Sequence, residues 1–291
     1  MLFLVRSIAL LTLLTFITSC RSTQIPKSAA TTEISSQKET LDRASRIVSI
    51  SSLPTDIISQ LDQSKLVGVG GTALVNQNPA LKDLPRVSEG RTPPNLEKIV
   101  ALKPDLVIGS EGMHDQTLNQ LKSMGIKTLA TGTTDWISLR TLTQTLAAVT
   151  NTNPDPLLKR YESFIKKPKN SPSVMVLAGY QPILSPNKTS WTGDLLQQFG
   201  LKNLTADLQG ESRQRGFITL SPEKILEVNP DRLILVDTGD GTIDQYKASP
   251  FWSQLKAVQT NQILTFDYYG LVNPGSIQSI EKACQKISAE I

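Results

Sequence analysis

Residues 95–108 read NLEKIVALKPDLVI, and 126 positions later residues 221–234 read SPEKILEVNPDRLI. The two share Glu-Lys-Ile at 97–99 and 223–225 and Pro-Asp at 104–105 and 230–231, with identical internal spacing. An acidic residue in the first turn followed by apolar residues at helical spacing predicts a short helix, and the proline that follows cannot extend it. The runs after Pro-Asp, Leu106-Val107-Ile108 and Leu233-Ile234-Leu235-Val236, predict short buried strands. Each copy is therefore a helix, a Pro-Asp turn and a strand. One pair at so long a period is not a solenoid, which stacks many units; it predicts two similar lobes in one chain.

A length of 291 residues suits that reading, because two cores of roughly 100–150 residues each are ordinary domain sizes. Strand and helix signals alternate around both copies. The first lobe, 46–135, reads as strands at 47–50, 66–70 and 127–131, with helices over Thr55–Leu61 and Gln116–Met124 besides the first repeat copy. The second, 171–291, restarts with VMVLAG at 174–179, then a helix at Gly193–Phe199, the second copy, ILTF at 263–266 and a closing helix from Pro274 to about Ser288. Such alternation implies parallel sheets covered by helices. Residues 136–170, helical and interrupted near Asn153-Pro154, have no strand signal and read as a connector between lobes.

The chain opens MLFLVRSIALLTLLTFITSC. Its apolar stretch is too short to span a bilayer comfortably, so residues 1–19 read as a cleaved leader. The small residues before Cys20 resemble a bacterial lipoprotein processing box, with Ile17 where Leu is usual. That makes Cys20 the lipidated first residue of the mature chain. Residues 20–45, rich in Ser, Thr, Gln and Lys, read as a tether. Only Cys284 then remains, which leaves no intramolecular disulfide. It shares a helical face with Ile277, Ile280 and Ile287, the setting of an inert buried thiol.

Composition narrows function by exclusion. A formal net charge of +4, scattered along the chain, is too mild for a nucleic-acid footprint. One histidine, His114, and one mature cysteine leave little from which to build a catalytic triad or a zinc site. GVGG at 68–71 lacks the spacing and the lysine of a nucleotide loop. Neither an enzyme, nor a metal centre, nor a cofactor is expected.

Taken in order, the lipoprotein box, RIVSISSLPTDIISQL, LVGVGG, LPRVSEGRTPPNLEKIVALKPDLVIGSEG, LKSMGIKTL, LSPEKILEVNPDRLILV and NPGSIQSIEKAC resemble the substrate-binding lipoproteins of ABC importers for ferric siderophores, haem and cobalamin. The resemblance covers nearly all of residues 46–291. It implies an α/β fold of two Rossmann-like lobes joined by a helical connector, with a ligand cleft between them. It also implies a monomer held at the membrane through Cys20 in the periplasm, or outside the cytoplasmic membrane where no outer membrane exists, delivering to a permease dimer with its ATPase. In such proteins each lobe offers one glutamate to an arginine pocket of the permease. Those glutamates fall on Glu97 and Glu223, although an acidic first-turn residue also complements the helix dipole by about 0.3–1 kcal/mol.

Open α/β sheets bind ligands outside the carboxyl ends of their strands. That rule selects Ser52, Leu53, Gly71, Thr72, Arg91, Glu111 and Gly112 in the first lobe. In the second it selects Trp191, Thr192, Arg213, Arg215, Thr238, Tyr268 and Tyr269. Arginine forks would pair an anionic ferric siderophore. Neutral, amide-rich cobalamin would depend more on the aromatics and ranks second. Haem, for which His114 or a tyrosine would be the axial ligand, ranks third. A tethered interaction protein without a small ligand stands outside these.

Overall fold

The structure, a computed structural model, describes residues 43–90, 92–208, 212 and 214–291. The expectations for the leader, Cys20, Arg91 and Arg213 lie outside the described residues. The first lobe runs β1 (Ile47–Ser49), α1 (Ser52–Asp62), β2 (Leu66–Val69), α2 (Ala73–Gln77), α3 (Leu96–Ala101), β3 (Leu106–Ser110), α4 (Asp115–Ser123) and β4 (Lys127–Thr131). Helices α5 (Trp136–Thr150) and α6 (Asp155–Glu162) follow. The second lobe comprises β5 (Ser173–Leu177), β6 (Ile183–Pro186), α7 (Trp191–Gln198), β7 (Lys202–Asn203), β8 (Phe217–Leu220), α8 (Pro222–Val228), β9 (Arg232–Asp237), α9 (Thr242–Ala248), α10 (Lys256–Gln259), β10 (Ile263–Asp267), the broken turn α11 (Tyr268–Leu271) and α12 (Ile277–Glu290).

The two main sheets have one plan. The first is ordered β2-β1-β3-β4 and the second β7-β5-β9-β10, every pairing parallel. In each, the repeat supplies a helix and the strand after it: α3 leads into β3 and α8 into β9, the inner neighbours of β1 and β5. Both helices end on a residue with positive φ directly before proline, Lys103 at 47° and Asn229 at 42°. The antiparallel pair β6–β8 is an addition found on the second lobe.

Strand alternation determines where the core sits, because successive side chains leave a strand on opposite faces. From β3, Leu106 and Ile108 join one cluster while Val107 joins another; from β9, Ile234 and Val236 join that same first cluster while Leu233 and Leu235 point away. One cluster therefore draws on both sheets, with α1, α5, α6, α7 and α12 filling it: Leu53, Ile57, Leu139, Leu146, Tyr161, Leu195, Ile280 and Cys284 all belong to it. The lobes share a core and form one compact unit.

Several boundaries differ from expectation, each for a local reason. The fold begins before Arg46: Ala44 is buried and donates its N–H to Val149 O at 2.9 Å. The connector, read as interrupted near Asn153-Pro154, is two helices: α5 ends where Asn151 takes the left-handed conformation (φ 57°), and α6 starts at Asp155. Helix α7 begins at Trp191, not Gly193, because Ser190 caps it by accepting from Gly193 N at 3.0 Å. Strands β6, β7 and β8 carry no periodic signal long enough to stand out, and they form against β5 and each other.

Candidate functional site

The carboxyl edge of the first sheet is lined by hydroxyls. Ser51 Oγ lies 2.7 Å from Ser110 Oγ, tying the end of β1 to the end of β3. Ser52 Oγ lies 2.8 Å from Thr72 Oγ1, which also accepts from Val75 N and so caps α2. The turn between β2 and α2 depends on Gly71: a Cβ there would stand 2.3 Å from Ser88 O, and without one Gly71 O accepts from Gly90 N at 2.9 Å. Ser51 and Ser110 were not among the expected residues; both lie one position from ones that were, at the same strand ends.

The loop after β3 is folded on itself. Gly112, at φ 76°, donates to Asp115 Oδ1 at 2.9 Å, and Ser110 N donates to His114 Nδ1 at 2.9 Å. Glu111 and Gly112 are exposed, and Met113 at 78% exposure stands furthest out. Burial holds the His114 pKa below the ordinary histidine range. Its Nδ1 lone pair is occupied, so the neutral ring carries its proton on Nε2 and presents no free lone pair to a haem iron.

On the second lobe Thr238 is exposed after β9 and bonds Asp240 through its hydroxyl at 2.7 Å. Tyr268 is half-buried and meets the ring of Tyr269 edge-on at 5.4 Å, while Tyr269 remains 36% exposed. Gly275 brings this segment to the first lobe. A Cβ there would lie 2.4 Å from Leu74 Cδ1 and 2.8 Å from Tyr269 Cδ1, so both side chains rest on its bare Cα. Leu74, two residues past Thr72, thus joins the Thr72 edge of one lobe to the Tyr269 edge of the other.

Three expected ligand contacts are core residues instead. Leu53 is 6% exposed and packs inside the shared cluster. Thr192 is fully buried, its hydroxyl donating to Leu271 O at 2.9 Å. Trp191 is 4% exposed, stacks on Trp136 at 6.0 Å and donates Nε1–H to Gly270 O at 2.9 Å. Its position at the start of α7 turns the ring inward, and ring and N–H are both satisfied there. Arg215 is exposed on the turn before β8 and makes no ion pair among the described residues.

Glu97 and Glu223 occupy the same position in their lobes. Each is exposed in the first turn of its repeat helix, behind Asn95 and Ser221, which cap by accepting from Lys98 N and Lys224 N at 3.0 and 3.2 Å. Neither has an ion-pair partner among the described residues. Hydrogen bonds from its own backbone N–H and from Ser221 hold the Glu223 carboxyl below the ordinary glutamate range. Among the described residues no group of His, Cys, Asp and Glu is assembled to hold a metal ion.

Residues 47–269 match the family model described as periplasmic binding protein. The vitamin B12-binding protein of Salmonella typhi is 24% identical over 257 residues, 84% of this chain and 91% of that protein. The Fe(3+)-citrate-binding protein YfmC of Bacillus subtilis is 22% identical over 213 residues, 69% of this chain and 65% of that protein. An ABC transporter substrate-binding protein from Listeria monocytogenes superposes with a TM-score of 0.70 at 20% identity, covering 86% of this chain and 100% of that one.

Proposed function

Because the chain belongs to the periplasmic binding protein family, we propose that it is the substrate-binding lipoprotein of an ABC importer, tethered through Cys20, which captures a ferric siderophore and passes it to an inner-membrane permease. The observation that carries the importer reading is the equivalence of Glu97 and Glu223. Two exposed carboxylates with no ion-pair partner among the described residues, each in the first turn of the repeat helix of its lobe, suit a partner with two matching arginine pockets. The ligand lies between the Ser51–Ser52–Thr72–Ser110 hydroxyls of one lobe and the Thr238 and Tyr268–Tyr269 edge of the other, with Glu111 and Gly112 at the rim.

The chelate reading rests on what borders that cleft. Hydroxyls and tyrosines there suit oxygen-rich anionic ligands, as would Arg215, which is expected to reach the ligand from the turn before β8 and has no ion-pair partner among the described residues, with Arg91 and Arg213 as further expected partners. Withdrawal of Trp191 into the core removes the broadest flat surface that a corrin ring would use. Cobalamin stands as the second reading, favoured by the vitamin B12-binding relative whose similarity spans 84% of the chain. No catalytic step is assigned. The test is direct: protein purified from iron-limited cells is expected to carry the charge-transfer absorption of a ferric chelate. Corrin bands would transfer the assignment to cobalamin, and a colourless protein that no iron chelate or corrinoid stabilises would sink both.

A further inference from the structure

Between the cleft and the shared core, three elements distant in sequence meet at one partly buried carboxylate. Asp56, in the second turn of α1, accepts the backbone N–H of Ile277 at 2.7 Å and Gln60 Nε2 at 3.1 Å. Ile277 is the first residue of α12, so a side chain of the first lobe satisfies one of the free amides that every helix start leaves. The helix's own cap, Ser276, accepts from Ser279 N at 3.1 Å and does not serve Ile277. Arg160 of α6 completes the junction: it donates to Gln60 Oε1 at 2.9 Å and pairs Glu281 of α12 at 2.5 Å.

The segment immediately before Ile277 is the one that reaches the cleft. Gly275, two residues upstream, carries Leu74 and Tyr269 on its Cα, and the Tyr269–Asn273 bridge closes that segment into a short loop. We propose that Asp56 is a positioning residue for the ligand cleft: by holding the start of α12 from the first lobe it keeps the Tyr269–Gly275 rim seated on Leu74, and so sets the spacing between Thr72 and Tyr269. The proposal rests on the reading that these two strand-end edges bound the ligand, but the contact it describes exists with or without one.

The alternative is that Asp56 merely caps a helix. A cap acts within one turn, whereas a positioning residue also governs the opposite rim. Backbone hydrogen exchange of the full chain, wild type against Asp56→Ala, separates the two. Exchange is expected to quicken about fivefold or more at residues 277–280 and also across 268–275 and 73–77, with β3 and β9 unchanged. Asp56→Asn, whose amide oxygen still accepts, should restore most of the protection. Should Asp56→Ala fail to fold, Gly275→Ala perturbs the same seat from the other side and should quicken 73–77 while leaving Ile277 protected. Quickening confined to 277–280 in Asp56→Ala, or an unchanged 73–77 in Gly275→Ala, would overturn the proposal. Titration with ferric citrate, a ferric trihydroxamate and cyanocobalamin adds a second arm. Whichever probe wild type binds should bind Asp56→Ala about tenfold more weakly, and equal affinity would also overturn it. Wild type that binds none of the three counts against the ligand reading alone, and the exchange result still decides the role of Asp56.

Discussion

The carboxylate of Asp231 takes two hydrogen bonds from Ser173, from its backbone N–H at 3.2 Å and its hydroxyl at 2.6 Å. Asp105 does the same for Ser45, at 2.8 Å from each group, and adds Arg46 N at 3.0 Å. Each aspartate comes from the repeated Pro-Asp and clamps the start of the neighbouring inner strand, β1 in one lobe and β5 in the other. The repeat thus encodes a strand clamp as well as a helix and a strand, and the clamp is the part that joins segments 58 and 60 residues apart.

Both clamps lower the pKa of their aspartate. For Asp231 the bonds from Lys256 and Ser173 bring it from 3.8 to about 2; for Asp105 the bonds from Ser45 and Arg46 outweigh desolvation. A depressed carboxyl stabilises the fold above its unfolded pKa and loses that contribution as pH falls through the folded one. Wild type should therefore lose stability between about pH 4 and pH 2. Asp105→Asn and Asp231→Asn should each lower Tm at pH 7 by about 2–4 °C, a loss near 1 kcal/mol for exposed groups, and flatten the acid slope. Thermal melts at pH 7 and pH 3 check this; equal slopes in wild type and the double variant would remove the clamps from the account.

Glu97→Ala and Glu223→Ala should each weaken delivery to the permease with ligand affinity unchanged, since both side chains are exposed and neither is among the residues proposed to bound the ligand. Transport assays in cells, paired with titration of the purified protein, measure the two separately. Loss of ligand affinity would place the carboxylates in the cleft.

Arg215→Ala should weaken binding of an anionic ferric chelate about tenfold to a hundredfold, the equivalent of a charge-assisted contact of about 1.5–3 kcal/mol. Lysine should recover only part, because a point charge lacks the planar fork. Trp191→Ala should behave oppositely, costing about 3–5 kcal/mol of stability through the cavity left beside Trp136. Under the cobalamin reading Arg215→Ala would bind as wild type does.

Cys284 should be silent to thiol reagents until the protein unfolds. It is fully buried in the shared core, and burial pushes its thiol up to about 12. Labelling in native buffer against labelling in denaturant reads the difference. Rapid native labelling at Cys284 would show that α12 opens far more readily than its packing implies.

The proposed lipoprotein reading assigns anchorage to Cys20. Cys20→Ala should leave the chain unprocessed or released from the membrane fraction, measured by fractionation and metabolic lipid labelling. Normal attachment in that variant would refute the lipoprotein reading.

What the sequence determined by itself was whatever depends on neighbours along the chain. Apolar runs after Pro-Asp are strands because strand pairing and burial need only a short β-rich run, and Glu97 and Glu223 are surface residues because first-turn positions beside polar caps face water. The likeness of the lobes was legible for the same reason, since both copies keep one spacing. Tertiary structure decided everything that depends on which distant segment arrives. Trp191 and Tyr269 are both aromatic residues near strand ends, yet one is enclosed by Trp136 and Gly270 and the other is left partly in solvent, a difference set by partners 55 to 79 positions from Trp191. Asp56 reads locally as an ordinary surface aspartate of α1, and only the arrival of Ile277, 221 residues later, makes it the tie between the lobes. Local periodicity carries the energy of forming each element, whereas side-chain direction at a junction is settled by the shape and unsatisfied polar groups of whatever packs against it.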